Sequence, residues 1–348
     1  MPNTSSEVEL MLELIKKLSL LNGISGREDD VRNFIIEEIR PFAESIEVDP
    51  LGNLIVYKKG KHTPKNKIML DAHMDEVGFI VTSINSDGTL GIECVGGIDK
   101  RVYVGRAVTV GENRINGVLG IKPIHMTRGD ERLAMPEKVY IDIGARNKDE
   151  AQELVALGDH ACFNSEFCEF GDGFIKGKAL DDRAGCAILI NMIKSELPYD
   201  MYFNFAVGEE VGFGSASTAA YRIKPDFAIV VETTTAADLA DVPENKTVCR
   251  LGEGAVISFM DRRTIYPKEL FDLAFELAKK NSIKAQVKSA VAGGNNAGVI
   301  HKTAGGIKTL TVSLPCRYLH SPSCVLKTED ITESERLIRA LAQELCND

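Results

Sequence analysis

The chain has 348 residues and a formal net charge of −10; 44% of its residues are apolar and 26% are charged. These proportions are typical of a globular protein that buries a sizeable core, and the length predicts two domains. The acidic balance argues against nucleic acid and anionic membranes as partners, because both attract clustered Lys and Arg.

The sequence also predicts a cytoplasmic location. No uninterrupted apolar run approaches the ~20 residues of a membrane-spanning helix. Residues 1–9 lack a basic segment followed by an apolar core, so we expect no signal peptide. The eight cysteines are scattered without C-x-x-C spacing. That scatter is typical of reduced thiols in a cytosolic protein, not of a zinc finger or a redox pair.

The first 76 residues predict the start of a layered α/β domain, since helical and extended apolar patterns follow one another. In chain order the predicted elements are a helix over 5–21, a helix beginning at Ser25 or Gly26, two strands around a turn at 49–53 and a buried strand over 68–70. The second helix would carry acidic residues 28–30 in its first turn, where the helix dipole favours negative charge.

His73 and Asp75 follow the buried strand. They lie on the same face of an extended chain, because side chains alternate along a strand. An imidazole with a carboxylate two residues later suits a metal ligand with a partner that orients the ring. A satisfied polar pair is the commoner origin of this pattern, so the pair alone leaves both interpretations open.

From residue 77 to residue 168 the pattern changes to short β-branched segments separated by turns. Such spacing predicts a small all-β barrel or sandwich. We interpret this segment as an oligomerisation domain inserted into a discontinuous catalytic domain, which comprises residues 1–76 and 169–348. Within the insertion, the polar stretch 127–136 predicts a loop.

After residue 173 the alternation of strands and helices resumes. The predicted elements are a helix over 182–194, a strand over 200–207, a helix start at 214–220, a strand over 227–232, a helix over 267–281, a strand over 287–291, a pair of strands over 305–314 and a closing helix over 330–346. This alternation predicts an α/β fold with a mostly parallel sheet sandwiched by helices.

Ionisable residues recur where predicted strands end and helices begin, and α/β domains place their active sites there. They are the pairs Asp181–Asp182 and Glu209–Glu210, the single acid Glu232, and His320. Each has an ordinary alternative: a helix cap, a solvated loop or a core histidine. Together they favour a site for divalent cations, because so many acids at apolar strand ends would repel one another without one.

Four segments resemble, in the same order, the motifs of the dinuclear aminopeptidases of the glutamyl-aminopeptidase and tetrahedral (TET) type. They are Ala-His-Met-Asp-Glu-Val-Gly at 72–78, Lys-Ala-Leu-Asp-Asp-Arg-Ala-Gly at 178–185, Gly-Glu-Glu-Val-Gly at 208–212 and Arg-Tyr-Leu-His-Ser-Pro at 317–322. The resemblance is specific, because four motifs must coincide over nearly the whole chain. It implies a zinc-exopeptidase-like fold and a metal-dependent aminopeptidase.

The resemblance also implies a role for each residue of the site. The implied ligands of two divalent ions, zinc or cobalt, are His73 and Glu232 for one ion, Glu210 and His320 for the other, and Asp181 as the bridge. A cis peptide would join Asp181 to Asp182, and Asp75 would sit behind His73. Glu209 would be the general base that takes a proton from water and returns it to the leaving amine.

Two departures from the family pattern bear on the site. Glu232 stands where the family usually has Asp, and it can still bind a metal ion, with a longer reach. The family's Gly-Gly-Thr-Asp-Ala segment is Gly-Gly-Asn-Asn-Ala at 293–297, so Asn295 and Asn296 replace a Thr and an Asp near the substrate pocket. Neither the roles of these asparagines nor the preferred first residue of the substrate follows from the resemblance.

Members of the family assemble through the inserted β domain, so the resemblance implies a homo-oligomer, either a dodecamer or a dimer, that acts on peptides. Three alternatives stay open. A dipeptidase, carboxypeptidase or N-deacylase can use the same metal ligands. An endoglucanase-type glycoside hydrolase, a label that some family members carry, needs paired carboxylates and no metal, and it leaves His73 and His320 unexplained. A non-catalytic shell would need a degenerate site.

Overall fold

The structure is a computed structural model that describes residues 5–121, 123–126 and 139–347. The loop predicted at 127–136 lies outside the described residues. Along the described part of the chain, no helix has the length and apolar character needed to cross a membrane.

Helices and strands alternate in the two end segments of the chain, and short strands fill the middle. The strands are β1 (Ser45–Val48), β2 (Leu54–Lys58), β3 (Ile68–His73), β4 (Gly78–Ile84), β5 (Leu90–Val95), β6 (Ala107–Val110), β7 (Ile115–Gly120), β8 (Tyr140–Asp142), β9 (His160–Phe163), β10 (Cys168–Phe170), β11 (Phe174–Gly177), β12 (Met201–Ala206), β13 (Phe227–Thr235), β14 (Ala255–Ile257), β15 (Ala285–Val287), β16 (Lys308–Cys316) and β17 (Cys324–Lys327). The α-helices are α1 (Ser5–Leu20), α2 (Asp29–Ile39), α3 (Lys100–Tyr103), α4 (Lys148–Leu154), α5 (Leu180–Lys194), α6 (Ala216–Ile223), α7 (Lys268–Lys280), α8 (Ala297–Ile300) and α9 (Thr328–Leu345).

Among the described residues, the largest sheet has the strand order β1–β2–β12–β3–β13–β16–β14–β15. Its central strands β12, β3, β13 and β16 run parallel, whereas β2 joins β12 and β14 joins β16 in antiparallel fashion. Every residue of β3 is buried, as expected for a strand covered on both faces. The prediction of an α/β fold with a mostly parallel sheet is confirmed.

Helices pack against this sheet along its length. Helix α5 contacts β3 and β13 and is backed by α1 and α2; α6 and α8 pack against β12, β3, β13 and β16; α9 contacts β14 and β16 and packs against α7. The apolar side chains of these elements form one continuous core. Burial of that core is the main favourable contribution to folding.

The middle of the chain forms a closed antiparallel barrel in the strand order β4–β5–β8–β7–β6–β9. Inside it, the Phe79 ring meets the rings of Tyr103 and Phe163 edge-on, with centroids 5.3 and 5.4 Å apart. The next strand, β10, leaves the barrel and pairs with β11, which also pairs with β17. The predicted all-β barrel is therefore confirmed. We propose that it is the core of an inserted domain with the predicted boundaries, 77–168.

Most predicted elements differ from the observed ones by a few residues at their ends, and three of the differences change the interpretation. Helix α2 begins at Asp29, not at residue 25 or 26, because the Glu28 carboxylate accepts the N–H of Gly26 and holds the preceding residues in a turn. The strand predicted over 287–291 is β15, which ends at its first predicted residue. The predicted pair over 305–314 is the single strand β16, since its eight last residues are buried without an interruption.

Asp49 organises the predicted turn at 49–53. Its Oδ1 accepts three backbone N–H groups of the turn at 2.9, 2.9 and 3.0 Å, and its Oδ2 accepts the side chains of Asn53 and Thr218. Burial opposes ionisation, but these hydrogen bonds lower the pKa of the Asp49 carboxyl. Asn53 Oδ1 in turn accepts the Val207 N–H at 3.1 Å, so the turn also holds the chain just after β12.

We expect Asp49→Ala to lower the free energy of unfolding by about 1.5–3 kcal/mol, the range for hydrogen bonds to a charged group. Urea unfolding at pH 7 measures it. Because the folded pKa is lowered, the contribution is complete above pH 3.8 and disappears as the pH falls through the folded value. Asp87→Ala is the matched control, since Asp87 holds an exposed turn through Thr89 and should contribute less than the buried Asp49, because water competes for its hydrogen bonds. Equal losses would contradict the prediction.

Candidate metal centre

His73 is the last residue of β3 and is almost fully buried, with 2% of its surface exposed. The parallel neighbour β12 ends beside it, with Ala206 in register opposite His73, and β13 runs along the other side of β3. The carboxyl ends of parallel strands meet at one edge of a sheet, where α/β folds place their sites. His73 therefore marks that edge.

Two acidic residues reach this edge from α5 and β13. Asp181 lies in the irregular first turn of α5, where its backbone angles are not helical and its peptide bond to Asp182 is cis. Glu232 lies within β13, which runs past the end of β3 and is buried along nearly its whole length. Both carboxylates are therefore held by buried backbone.

The remaining predicted residues come from two loops. Glu209 and Glu210 follow β12 through Gly208, whose φ of 65° is a conformation that favours glycine. His320 lies between β16 and β17 and also has a left-handed backbone, with φ of 56°. Such backbone strain in a residue other than glycine is concentrated at functional sites.

The Asp181 carboxylate lies between the two predicted histidines. Its Oδ1 is 3.4 Å from His73 Nε2, and its Oδ2 is 3.3 Å from His320 Nε2. His73 Nε2 is also 3.4 Å from Glu232 Oε1, and His320 Nε2 is 3.2 Å from Glu210 Oε2. Each imidazole therefore faces one carboxylate of its own, and both imidazoles face Asp181.

Asp182 is a buried acid for which the sequence predicts no ligand role. The potential ligand atoms form two groups, each within 4.8 Å, made by His73 with Asp181 and Glu210 and by His73 with Asp182 and Glu232. The Asp182 carboxylate, however, already accepts the backbone N–H of His73 at 3.4 Å and that of Gly185 at 3.1 Å. It therefore ties the end of β3 to the start of α5.

Asp75 lies behind His73 and joins two segments of the site. Its Oδ1 is 3.3 Å from His73 Nδ1 and accepts the Glu209 N–H at 3.0 Å. Its Oδ2 accepts the Glu210 N–H at 3.1 Å and the Ser25 hydroxyl at 2.6 Å. Burial opposes ionisation, but the contacts with His73 and Ser25 lower the pKa of Asp75. Because Asp75 is fully buried, it positions other groups.

Burial raises the pKa values of three acids around the two histidines; it also opposes the ionisation of Asp181, but there His320 and His73 lower the pKa. Burial raises the pKa of Glu209 to about 7 and that of Glu232 to about 8, and the pKa of Glu210 rises well above its usual range. Burial alone would lower the pKa of each histidine, but the carboxylates raise the pKa of His320 to about 10 and that of His73 well above its usual value. A divalent cation binds the deprotonated forms of such groups, so its binding would lower these pKa values and release protons.

The donor set fits a divalent cation of hard or borderline character. Asp181 Oδ1 is buried and has no hydrogen-bond partner among the described residues, which is unfavourable for a carboxylate unless a cation binds it. His73 Nδ1 lies 3.1 Å from the Asp75 carbonyl oxygen, and His320 Nδ1 lies 2.7 Å from that of Gly97. These contacts orient both rings and leave each Nε2 available, and imidazole with carboxylate is a common ligand set for zinc.

A cavity of about 150 Å³ opens beside these groups. Its wall includes the predicted site residues His73, Asp181, Glu209, Glu210, Glu232 and His320. It also includes Lys288 and Thr233, which sequence reasoning missed. A single lysine within a predicted strand and a threonine at the end of an apolar run belong to no motif, so the sequence carries no signal for them.

The two asparagines that replace the family's Thr and Asp take different places. Asn295 lines the cavity. Asn296 Nδ2 donates to Asp71 Oδ2 at 2.9 Å, and Asn204 donates to the other oxygen of Asp71 at 2.5 Å. Burial raises the pKa of Asp71 to about 6. An Asp in place of Asn296 would bring two buried carboxyl groups together, so the neutral donor suits this chain.

Comparison with known sequences finds relatives along nearly the whole chain. The model of the M42 glutamyl aminopeptidase family matches residues 52–337. A protein of Acetivibrio thermocellus with a provisional aminopeptidase name is 40% identical over 98% of this chain and 100% of its own. The lysyl aminopeptidase of Pyrococcus furiosus is 30% identical, over 96% and 97% of the two chains. The glutamyl aminopeptidase of Lactococcus lactis is 29% identical, over 96% of each.

Solved structures share the fold over a similar extent. A TET aminopeptidase of a marine-sediment Thaumarchaeota archaeon aligns with a TM-score of 0.92 at 32% identity, over 97% of each chain. The TET1 peptidase of Pyrococcus horikoshii, described as assembling into a tetrahedron or a large octahedral shell, aligns with a TM-score of 0.83 at 36% identity, over 95% of this chain and 99% of its own. A structure from Thermotoga maritima described as an endoglucanase aligns with a TM-score of 0.79 at 36% identity, over 95% of this chain and 97% of its own.

Proposed function

The chain belongs to the M42 glutamyl aminopeptidase family, and from this membership we propose that it removes N-terminal residues from peptides at a site for two divalent cations. The observation that carries the proposal is the Asp181 carboxylate between two imidazoles, each of which faces a further carboxylate. One shared carboxylate with an imidazole and an acid on each side is a donor set suited to a two-cation site.

In this proposal His73 and Glu232 hold one cation, His320 and Glu210 hold the other, and Asp181 is shared. Zinc and cobalt both suit this mixture of nitrogen and oxygen ligands. Bound divalent cations supply Lewis acidity, which acidifies water and polarises a carbonyl oxygen.

We assign proton transfer to Glu209. Its carboxylate lies on the cavity wall, and its backbone N–H is held by Asp75 at 3.0 Å. Glu209 takes a proton from the attacking water and gives it to the leaving amine, which is general base and then general acid catalysis. Asp75 is a positioning residue: it contacts the His73 ring and accepts the N–H groups of Glu209 and Glu210, so it holds these three residues in place.

We further propose that the chain forms a homo-oligomer, a dodecamer or a dimer, in the cytoplasm. The TET1 relative is described as assembling into closed shells. The barrel segment of this chain exposes the apolar side chains Val118, Met126, Leu154 and Leu157, which a protein interface would cover. Light scattering on the purified protein measures the number of chains.

Two rival activities remain distinguishable from this one. A dipeptidase or N-deacylase would use the same ligands with a different cavity. Glycoside hydrolysis, which the endoglucanase description of the Thermotoga maritima structure suggests for that protein, uses two carboxyl groups and no metal. The arrangement of imidazoles between acids in this chain favours metal-dependent hydrolysis instead.

Release of free amino acids from matched unblocked and N-acetylated peptides tests the proposal. The protein is assayed after metal removal and again after reloading with zinc or cobalt. We expect cleavage of the unblocked peptides only, with loss of activity on stripping and recovery on reloading. Cleavage of acetylated peptides, or sugar release from carboxymethyl-cellulose that survives chelation, would contradict the proposal.

Metal removal is also expected to lower thermal stability, because the buried acids then lack their cation. A cation at about 1,000 times its Kd stabilises the folded state by about 4 kcal/mol. For a chain of this size, the unfolding midpoint should fall by at least about 5 °C in chelator and recover on reloading. Differential scanning calorimetry measures both states, and equal midpoints would argue against a cation in this site.

A further inference from the structure

Lys288 is a buried cation on the wall of the cavity that contains the candidate metal centre. Only 7% of the residue is exposed, and its Nζ donates one hydrogen bond, to the Ala292 carbonyl at 3.0 Å. Within the described ranges of the chain, this ammonium group has no ion-pair partner. The Lys288 N–H donates to the Ile257 carbonyl at 3.0 Å, so its backbone is anchored to β14.

Asp261 and Glu232, the two acids whose charges act on Lys288, are occupied by other groups. The Asp261 carboxylate accepts two backbone N–H groups and the Tyr266 hydroxyl, and Glu232 faces His73. Burial lowers the pKa of Lys288, and the charges of Asp261 and Glu232 oppose that effect. A buried ammonium without a carboxylate partner is unfavourable unless a ligand supplies the anion. The structure therefore leaves Lys288 available to an anionic ligand.

A second polar group on the same wall also lacks a partner. Thr233 is 5% exposed, and its buried Oγ1 has no hydrogen-bond partner in the part of the chain that the structure describes. The cavity that Thr233 and Lys288 line has a volume of about 150 Å³, and Val248 and Leu319 add apolar surface to its wall. The wall also carries polar groups of Thr234, Thr235, Asn295 and Ser313 and the carboxylates of the candidate metal centre. Of its polar groups, the Lys288 ammonium and the unpaired Thr233 hydroxyl can bind a side-chain carboxylate without giving up an ion pair or hydrogen bond to another side chain.

We propose that Lys288 makes this chain selective for peptides whose first residue is acidic, glutamate or aspartate. The inference rests on the proposed function: because Lys288 and the metal-ligand residues line one cavity, a substrate cleaved there extends its first side chain within that cavity. The side-chain carboxylate accepts hydrogen bonds from the Lys288 ammonium and the Thr233 hydroxyl. A first residue with a positive charge would instead face a second ammonium.

Family membership does not choose this specificity. The relatives named lysyl and glutamyl aminopeptidase are 30% and 29% identical to this chain, so relatives named for opposite specificities are equally similar to it.

A dipeptide has a second carboxylate that Lys288 could bind, at its C-terminus, and this group has the same chemistry as an acidic side chain. Substrates without a C-terminal carboxylate separate these two sources.

The test compares kcat/KM of the metal-loaded enzyme for the 7-amido-4-methylcoumarin derivatives of Glu, Gln, Leu and Lys. None of these substrates has a C-terminal carboxylate. Glu and Gln have the same shape, so their ratio reports the charge alone. We expect Glu to exceed Gln by about 10- to 100-fold, the range for a hydrogen bond to a charged group, and we expect Lys to be the slowest.

Three variants assign that ratio to Lys288. K288M removes the charge and keeps the length of the side chain, and it should lower kcat/KM for Glu at least about 10-fold more than for Gln. K288R keeps the charge and should keep the preference for Glu. K284M is the matched control, because Lys284 is exposed and pairs with Glu329 at 2.6 Å, and its Glu-to-Gln ratio should equal that of the wild type.

The inference is overturned if kcat/KM of the wild type for the Glu derivative does not exceed that for the Gln derivative, or if K288M leaves this ratio unchanged. Cleavage of the Gln or Leu derivative would still support the proposed function. Dipeptides provide the second arm. If free dipeptides are cleaved faster than their C-terminal amides and K288M removes only that difference, Lys288 binds the C-terminal carboxylate and the inference is wrong. If the metal-loaded wild type cleaves no derivative at all, the proposed function fails and the inference fails with it.

Discussion

Glu209→Gln is expected to lower kcat for peptide hydrolysis by about 10²- to 10⁴-fold, the contribution of a positioned general base. The substitution keeps the shape of the side chain and removes its ability to carry a proton. The backbone of residue 209 is held by Asp75, so the loop should keep its position. None of the contacts that place His73 and His320 beside their carboxylates involves Glu209, so binding at the proposed two-cation site should be unchanged.

Two measurements on the Glu209→Gln protein separate proton transfer from metal binding. The first is kcat at saturating substrate, and the second is metal content by elemental analysis after dialysis. Glu253→Gln, at an exposed position, is the matched control and should leave both values unchanged. A kcat within about threefold of the wild type would exclude Glu209 as the general base, and loss of a metal ion would assign it a ligand role instead.

Glu76→Gln is expected to cause the largest loss of stability of any single charge removal considered. The Glu76 carboxylate is buried between two buried cations: it accepts Lys178 Nζ at 2.6 and 2.8 Å and lies 3.4 Å from Arg183 Nη2. Glutamine would leave both cations without an anion. Removing one partner of such a buried network lowers the free energy of unfolding by about 3–5 kcal/mol.

The same network joins the two segments that carry the candidate ligands. Glu76 directly follows Asp75, and Lys178 and Arg183 lie on either side of Asp181. Arg183 also donates to the Met74 carbonyl at 2.7 Å. Glu76→Gln should therefore weaken metal binding as well as folding, because it loosens the His73 segment from the Asp181 segment.

Guanidinium unfolding of the metal-free protein measures the effect of Glu76→Gln on stability alone. Glu150→Gln is the control, since Glu150 pairs with the exposed Arg146 at 3.0 Å and solvent screening makes such a surface pair contribute little. Replacing Glu76 and Lys178 together by Met should recover part of the loss, because the unpaired Lys178 charge then also leaves the interior. Equal losses for Glu76→Gln and Glu150→Gln would contradict the network's role.

The strand ends of the site could be predicted from the sequence because parallel strands deliver their carboxyl ends to one edge. His73 and the Glu209–Glu210 pair follow buried strands in the sequence, and the structure places β3 and β12 side by side. The order of four motifs along the chain added Asp181 and His320, which local pattern alone could not bring together. The positions of Asp181 and His320 relative to each other depend on the irregular start of α5 and on the loop after β16.

Residues whose role depends on long-range contacts could not be predicted. The sequence predicts Glu28 as one of three acids in the first turn of a helix. In the structure Glu28 is only 4% exposed, and its Oε1 accepts the N–H of Gly208, the residue before Glu209, at 3.1 Å. Lys288 falls in a segment that reads as a strand, and only the end of β15 at Val287 turns it into the cavity. A sequence pattern indicates local conformation, whereas the Glu28–Gly208 contact and the position of Lys288 on the cavity wall both depend on residues distant in the sequence.

The number of metal ions bound per chain tests most directly whether two cations share the Asp181 carboxylate. Equilibrium dialysis of the stripped protein against zinc, followed by elemental analysis, gives that number. We predict two ions per chain for the wild type and weaker binding of both ions in Asp181→Asn, because Asp181 faces both His73 and His320. One ion per chain in the wild type, or the loss of only one ion in Asp181→Asn, would contradict a shared carboxylate.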